Sequence, residues 1–360
     1  MEAGRSSRWS PSGGQEAGGN AMARERIWPF LLAGFLALLI SAGVGGSAVL
    51  KMAGISHRGE LPPLSGEENT LHDRLRHHVE ELAGRIGERN VWRHDSLEAA
   101  AAYLAAELRS AGYRVAEQPF TANGSRVCNL EAEIRGTRQP VEIVIVGAHY
   151  DSVIGSPGAN DNASGCAALI EIARLLAARR PERTLRLVFF VNEEPPFFKT
   201  DLMGSVVYAN RCRERNEKIV AMYSLETIGC YSSAPGSQHY PFPLSLFYPD
   251  TGNFIGIVGN LRSRELVRQS LRAFRSTTKF PSEGLVAPLP LIGIDWSDHW
   301  SFWRAGYPAV MVTDTALFRY SHYHTGQDLP HRLDYDQLAR VTAGLARMVA
   351  NVACIPERSQ

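Results

Sequence analysis

Apolar and polar positions change period several times along the chain, and the changes mark its elements. Glu67–Ile86 and Ser96–Ala111 have helical spacing. In the second, Leu97, Ala101, Leu104 and Leu108 share a face, Ser96 is the expected N-cap and Gly112 the stop. Strand-like runs follow at Tyr113–Phe120, Val127–Ile134 and Val141–Val146. Helix and strand then alternate: Ser164–Ala178, Thr184–Val191, Met203–Arg211, Ile219–Leu225, Phe254–Val258 and Ser263–Phe274. Ala309–Thr313 is the last strand and Tyr335–Val352 the closing helix. Such alternation predicts an α/β fold. Between Ile219–Leu225 and Phe254–Val258, Ser232–Thr251 is a long loop rich in proline and aromatics, a length that compact domains usually reserve for function.

The N-terminal part has a different pattern. Residues 1–26 are rich in Gly, Ser, Ala and Arg without apolar period and are expected to be a disordered cytoplasmic tail. Residues 27–50 are 24 consecutive uncharged positions, enough for a membrane-spanning helix. Arg24 and Arg26 precede them, which keeps the N-terminus in the cytoplasm and exports the chain beyond Lys51. A cleaved signal is the other reading, because the strongest apolar stretch is Phe30–Ile40 and Gly46-Ser47-Ala48 resembles a cleavage site. The expected localisation is therefore a single-pass membrane protein with its folded domain outside the cytoplasm, or a secreted one. Residues 51–66 read as a linker and 67–356 as the folded domain.

Composition narrows the function. With 38 basic and 37 acidic residues among 360, the formal charge is +1, which excludes an electrostatic nucleic-acid binder. Hydrophobic residues at 44% support a sizeable core. Five cysteines without a C-x-x-C pair make neither a disulfide scaffold nor a cysteine zinc site.

Candidate chemistry gathers where predicted strands end, the edge at which α/β sheets collect ligands. His149 and Asp151 come after Val141–Val146 two residues apart, so they lie on one side of an extended segment, with the Asp151 carboxylate placed to orient the imidazole. Asp161 lies in a run of small residues at the mouth of a helix. Glu193 and Glu194 come after Thr184–Val191, and Pro195-Pro196 ends the ladder there. Two adjacent carboxylates suit two roles, one as metal ligand and one as free base. Glu226 closes Ile219–Leu225, and Tyr323-His324 lies between the last strand and the last helix. Oxygen and imidazole donors without thiolate favour zinc or a related divalent ion. By contrast, His77 and His78 are expected in solvent, and Trp296, Trp300, Phe302 and Trp303 in the core.

These strings, with Gly158-Ala159-Asn160-Asp161-Asn162-Ala163-Ser164-Gly165, Ser297-Asp298-His299 and Gly306-Tyr307-Pro308, resemble the co-catalytic di-zinc aminopeptidases over about Leu71–Val352. That metallopeptidase family also includes the glutamate carboxypeptidase and glutaminyl cyclase branches. The resemblance implies a mixed, mainly parallel sheet sandwiched by helices and two zinc ions. It implies His149 and Glu226 on one ion, Glu194 and His324 on the other, and Asp161 bridging. Glu193 would be the base acting on a metal-bridging water, and Tyr323 would steady the oxyanion. Asp151 completes the expected catalytic set, and peptides with a free N-terminus are the expected substrates. Glu226 departs from the aspartate more usual in soluble members, by one methylene. Two alternatives stand beside this reading. One is a one-zinc glutaminyl cyclase, whose members tend to carry Trp where this chain has Tyr323; the other is an inactive binding protein on the same fold.

Overall fold

Among the described residues, the apolar runs at Val141–Val146, Thr184–Val191 and Ile219–Leu225 fall in the middle strands of an eight-stranded sheet. The computed structural model describes residues 52–242, 244–287 and 291–356. The expected tail and apolar segment, residues 1–50, lie outside these, and among the described residues no helix is long and apolar enough to cross a membrane.

The strands are β1 Val115–Ala122, β2 Ser125–Ile134, β3 Gln139–His149, β4 Arg183–Phe190, β5 Lys218–Glu226, β6 Ile255–Gly259, β7 Ser282–Val286 and β8 Ala309–Thr313. Their order across the sheet is β1-β2-β4-β3-β5-β8-β6-β7. The block β4-β3-β5-β8 is parallel, β2 and β6 flank it antiparallel, and β7 runs parallel to β6. The sheet is therefore mixed and mainly parallel. Seven of the eight residues of β4 are buried, as a strand covered on both faces requires. Asn123 and Gly124 both have positive φ and turn β1 tightly into β2.

The helices are α1 Gly66–Val79, α2 His94–Ser110, α3 Gly165–Leu176, α4 Gly204–Glu214, α5 Arg264–Thr277, α6 His299–Arg304 and α7 Tyr335–Val352. Helices α1, α3 and α5 pack around α7, while α4 packs with α6. Tyr208 of α4 and Phe302 of α6 meet Ile145, Val188 and Phe190 of the sheet in one core cluster. A reciprocal capping box between Ser65 and Glu68 starts α1, and the Asp334 carboxylate caps α7 through the N–H of Gln337.

Three expectations change. The chain enters α2 at His94, two residues before Ser96, because the Asn90 side chain caps a preceding short turn through Trp92 N–H. His78 is not solvated: with Leu71, Leu75 and Val79 it forms the buried stripe of α1. Its Nε2 is 3.0 Å from the Glu171 carboxylate and its Nδ1 2.6 Å from the Tyr103 hydroxyl, so the imidazole is satisfied in the interior. Strand β7 had no counterpart in the pattern, because its five residues include Glu283 and Gly284.

Candidate active site

Each candidate side chain sits where its strand leaves the sheet. His149 is the last residue of β3 and Glu226 the last of β5. Glu193 and Glu194 come after β4 at the turn that Pro195 begins, Asp161 lies between β3 and α3, and His324 comes after β8. These five strand and loop ends converge. His149 Nε2 lies 3.2 Å from Asp161 Oδ1 and 3.3 Å from Glu226 Oε2. His324 Nε2 lies 3.0 Å from Asp161 Oδ2 and 3.2 Å from Glu194 Oε2. Asp161 thus turns one oxygen to each imidazole.

These atoms are close but not aligned as hydrogen bonds. His149 Nε2, both Asp161 oxygens, Glu194 Oε1 and His324 Nε2 are buried and have no hydrogen-bond partner. Leaving one such group unpaired costs about 1–3 kcal/mol, so five together call for an occupant. Ligands held tetrahedrally at about 2.0–2.2 Å from a zinc ion stand roughly 3.3–3.6 Å apart, close to the spacings here. The donors form three overlapping groups, His149–Asp161–Glu226, Asp161–Glu194–His324 and His149–Glu193–Glu194, and the first two share Asp161 and hold all four of the close contacts. Among the described residues, no Lys or Arg forms an ion pair with these carboxylates. Burial pushes the Glu194 carboxyl up to about 8, and the nearby Asp161 adds to that. Charge and geometry both fit a pair of divalent cations.

Glu193 stands differently. Its carboxylate is 3.9 Å from His149 Nε2, further than any of the four close contacts. Burial raises its carboxyl well above the usual range, and crowding by Glu226 and Glu194 works in the same direction despite His149. Tyr323 stacks on the His324 ring, with centroids 3.9 Å apart, and lines the adjoining cleft.

Asp151 is buried beside the cluster in an unexpected pose. Its carboxylate accepts the main-chain N–H groups of Glu193 and Glu194, each at 3.1 Å. The His149 Nδ1–H is 3.2 Å from the Asp151 main-chain carbonyl and 3.6 Å from the carboxylate, so the carbonyl is its acceptor. The imidazole is still oriented from residue 151, but by the backbone, because the carboxylate is engaged by the neighbouring turn.

Several residues support the site from outside the expected ligand and catalytic set. The Asp328 carboxylate accepts the main-chain N–H groups of Asn160 and Asp161 and the Tyr320 hydroxyl, fixing the Asp161 loop. Wholly buried Arg89 donates to the carbonyls of Tyr150 and Gly158. Gly158 has φ +61°, and a Cβ there would lie 2.2 Å from the Asp161 carbonyl, so only glycine fits. The Ser297 hydroxyl donates to Glu226 at 2.7 Å. Asp298 is fully buried with neither oxygen hydrogen-bonded, and burial pushes its carboxyl up to about 7.

An apolar cleft opens beside Glu226 and Tyr323. Tyr240, Leu244 and Tyr248 of the long loop line it, while Phe242 and Phe247 are exposed. Phe302 and Trp303 are core residues, as expected, but Trp296 is 40% exposed and forms part of the cleft wall.

Known proteins resemble this chain in sequence and in fold. The sequence model described as peptidase family M28 matches residues 129–349. The chain is 39% identical over 288 residues to the uncharacterized protein YfbL of Escherichia coli K12, which covers 78% of this chain and 88% of that protein. It is 28% identical over 223 residues to a probable zinc metalloprotease of Leptosphaeria maculans, covering 57% of this chain and 49% of that one. Among solved structures, BSAP, a zinc aminopeptidase from Bacillus subtilis, superposes with a TM-score of 0.63 at 15% identity, over 80% of this chain and 96% of that one. Fimbriiglobus ruber glutaminyl cyclase superposes with a TM-score of 0.58 at 20% identity, over 81% and 97%. At such identities the likeness to both structures is one of fold.

Proposed function

The chain belongs to peptidase family M28, and on that premise we propose that it is a zinc-dependent aminopeptidase removing N-terminal residues from peptides. One observation carries the reading: Asp161 presents one oxygen to the His149–Glu226 pair and the other to the Glu194–His324 pair. His149 and Glu226 would hold one ion, Glu194 and His324 the other, with Asp161 shared. Zinc at such a pair supplies Lewis acidity toward water and the substrate carbonyl.

The protein groups have separate tasks. Glu193, outside the close contacts, takes a proton from the attacking water and returns it to the leaving amine. The Tyr323 hydroxyl donates to the carbonyl oxygen as it gains negative charge. Glu226, at the cleft, receives the substrate's free α-ammonium. Asp151 holds the main-chain turn that aims Glu193 and Glu194. If residues 27–50 anchor or export the chain, these peptides are met outside the cytoplasm.

A panel of free-amine aminoacyl anilides, N-blocked anilides and N-terminal glutaminyl peptides, with and without chelator, tests the proposal. Chelator-sensitive cleavage of the free-amine anilides alone is the expected result. Pyroglutamate formation without cleavage would transfer the assignment to a glutaminyl cyclase, a reading supported by that fold likeness. Against it stands the second His–carboxylate pair at His149 and Glu226, which a one-zinc acyltransferase does not need.

A further inference from the structure

The cleft beside the metal-ligand cluster is lined by a second carboxylate, Glu283, on the edge strand β7. Strand register aligns Glu226 of β5 with Thr313 of β8, Thr313 with Gly256 of β6, and Gly256 with Glu283 of β7. These four residues form one row across the sheet, and all four line the cleft. Paired residues in a row point to the same face, and adjacent strands are about 4.8 Å apart, so Glu226 and Glu283 stand roughly 14 Å from each other along the floor. Between them, Gly256 adds no side chain and Thr313 only a small one. Leu285, Val258 and Met311 continue the floor in the next row, and Phe318, Tyr240 and Leu244 are among the remaining walls.

The charge pattern is asymmetric. The described lining holds two carboxylates, Glu226 and Glu283, and no Lys, Arg or His. Glu226 belongs to the ligand cluster and bonds Ser297. Glu283 is half-buried, and among the described residues nothing forms a hydrogen bond or ion pair with its carboxylate. Burial raises its carboxyl above the ordinary value, only partly offset by the more distant charges of Arg275 and Arg58. A carboxylate held against apolar walls without a partner costs free energy that a cationic ligand group would recover.

The geometry points to lysine or arginine as the preferred N-terminal residue, with Glu283 as the acceptor of the side-chain cation. This rests on the aminopeptidase reading and deepens it. With the substrate's α-amine and carbonyl at the Glu226–Tyr323 end, a lysine or arginine side chain extends about 6–7 Å along the row. The flexible Glu283 side chain spans the remainder. The alkyl stem lies on Leu285, Val258 and Met311, and the charged head meets the carboxylate.

Lysyl and norleucyl anilides share a four-carbon side-chain stem and differ in the terminal ammonium that only lysine carries, so their kcat/KM ratio isolates the contact. The full-length protein should favour the lysyl substrate at least tenfold. Glu283→Gln should lower that ratio at least tenfold with the norleucyl rate retained, which also reports correct folding, and Glu283→Asp should restore most of it. A wild-type preference for norleucyl, or a ratio unchanged in Glu283→Gln, would overturn the inference. Calorimetric binding of free L-lysine and L-norleucine to the zinc-loaded wild type and Glu283→Gln separates this question from catalysis. If no anilide is cleaved, the aminopeptidase reading fails. In that case a lysine preference that Glu283→Gln abolishes still supports the subsite, and equal affinities reject it.

Discussion

The carboxylate of Asp151 accepts the main-chain N–H of Glu193 at 3.1 Å. A second 3.1 Å bond from Glu194 makes the clamp bidentate, so the end of β3 sets the direction of both glutamates after β4. One glutamate belongs to the convergent ligand group and the other is left free beside it. A single aspartate thus positions two different functions.

Asp151→Asn keeps the shape but replaces one acceptor oxygen by an NH₂ group, which faces an N–H donor. Leaving that buried amide unpaired costs about 1–3 kcal/mol. Zinc affinity should fall about 10–100-fold, the usual effect of losing an orienting group. Competitive titration with a zinc-binding dye measures it, and an unchanged affinity would remove Asp151 from this role.

Glu193→Gln removes a base while leaving every close donor contact in place. Zinc content should match the wild type, and kcat should fall by about 10²–10⁴. The two readouts are elemental analysis and anilide turnover on one preparation. Loss of zinc together with activity would mean that Glu193 and Glu194 exchange roles.

His299 offers a pH test outside the ligand cluster. It is fully buried, its Nε2–H donates to the Ile294 carbonyl, and burial pushes its pKa down to about 4. The unfolded chain takes up this proton near pH 6.5, whereas the folded chain does so only near 4. The unfolded state binds more protons between these values, so the stability contributed by this group is intact above pH 6.5 and falls as pH drops toward 4. The full loss is about 3 kcal/mol. His299→Gln can still donate to Ile294 and cannot titrate, so its urea midpoint should fall less steeply over that window. Parallel curves for the two proteins would contradict the assignment.

How far these features could be read from sequence depended on whether they were local. Ala309–Thr313 and Tyr335–Val352 have the same limits in the pattern and in the structure, because long apolar periods are dictated by what covers them. The motif residues converge because each lies at the end of a strand of the parallel block or in the loop beyond it, which is a property of topology. The pairing of those residues was legible through a family resemblance and not through spacing. Non-local partners were not legible. Asp328 is four residues beyond His324, yet nothing near it in sequence shows that its carboxylate holds Asn160 and Asp161, more than 160 positions away. His78 shows the same limit, since Glu171 lies 93 residues further on. Glu283 became a candidate only when strand register set it in line with Glu226.

The most direct test of the two-ion account is a zinc-edge anomalous difference map from crystals of the zinc-loaded protein. Two peaks are predicted, one among His149, Asp161 and Glu226 and one among Asp161, Glu194 and His324. A single peak at Asp161, Glu194 and His324, with His149 and Glu226 unligated, would contradict it and favour one-zinc chemistry on this fold.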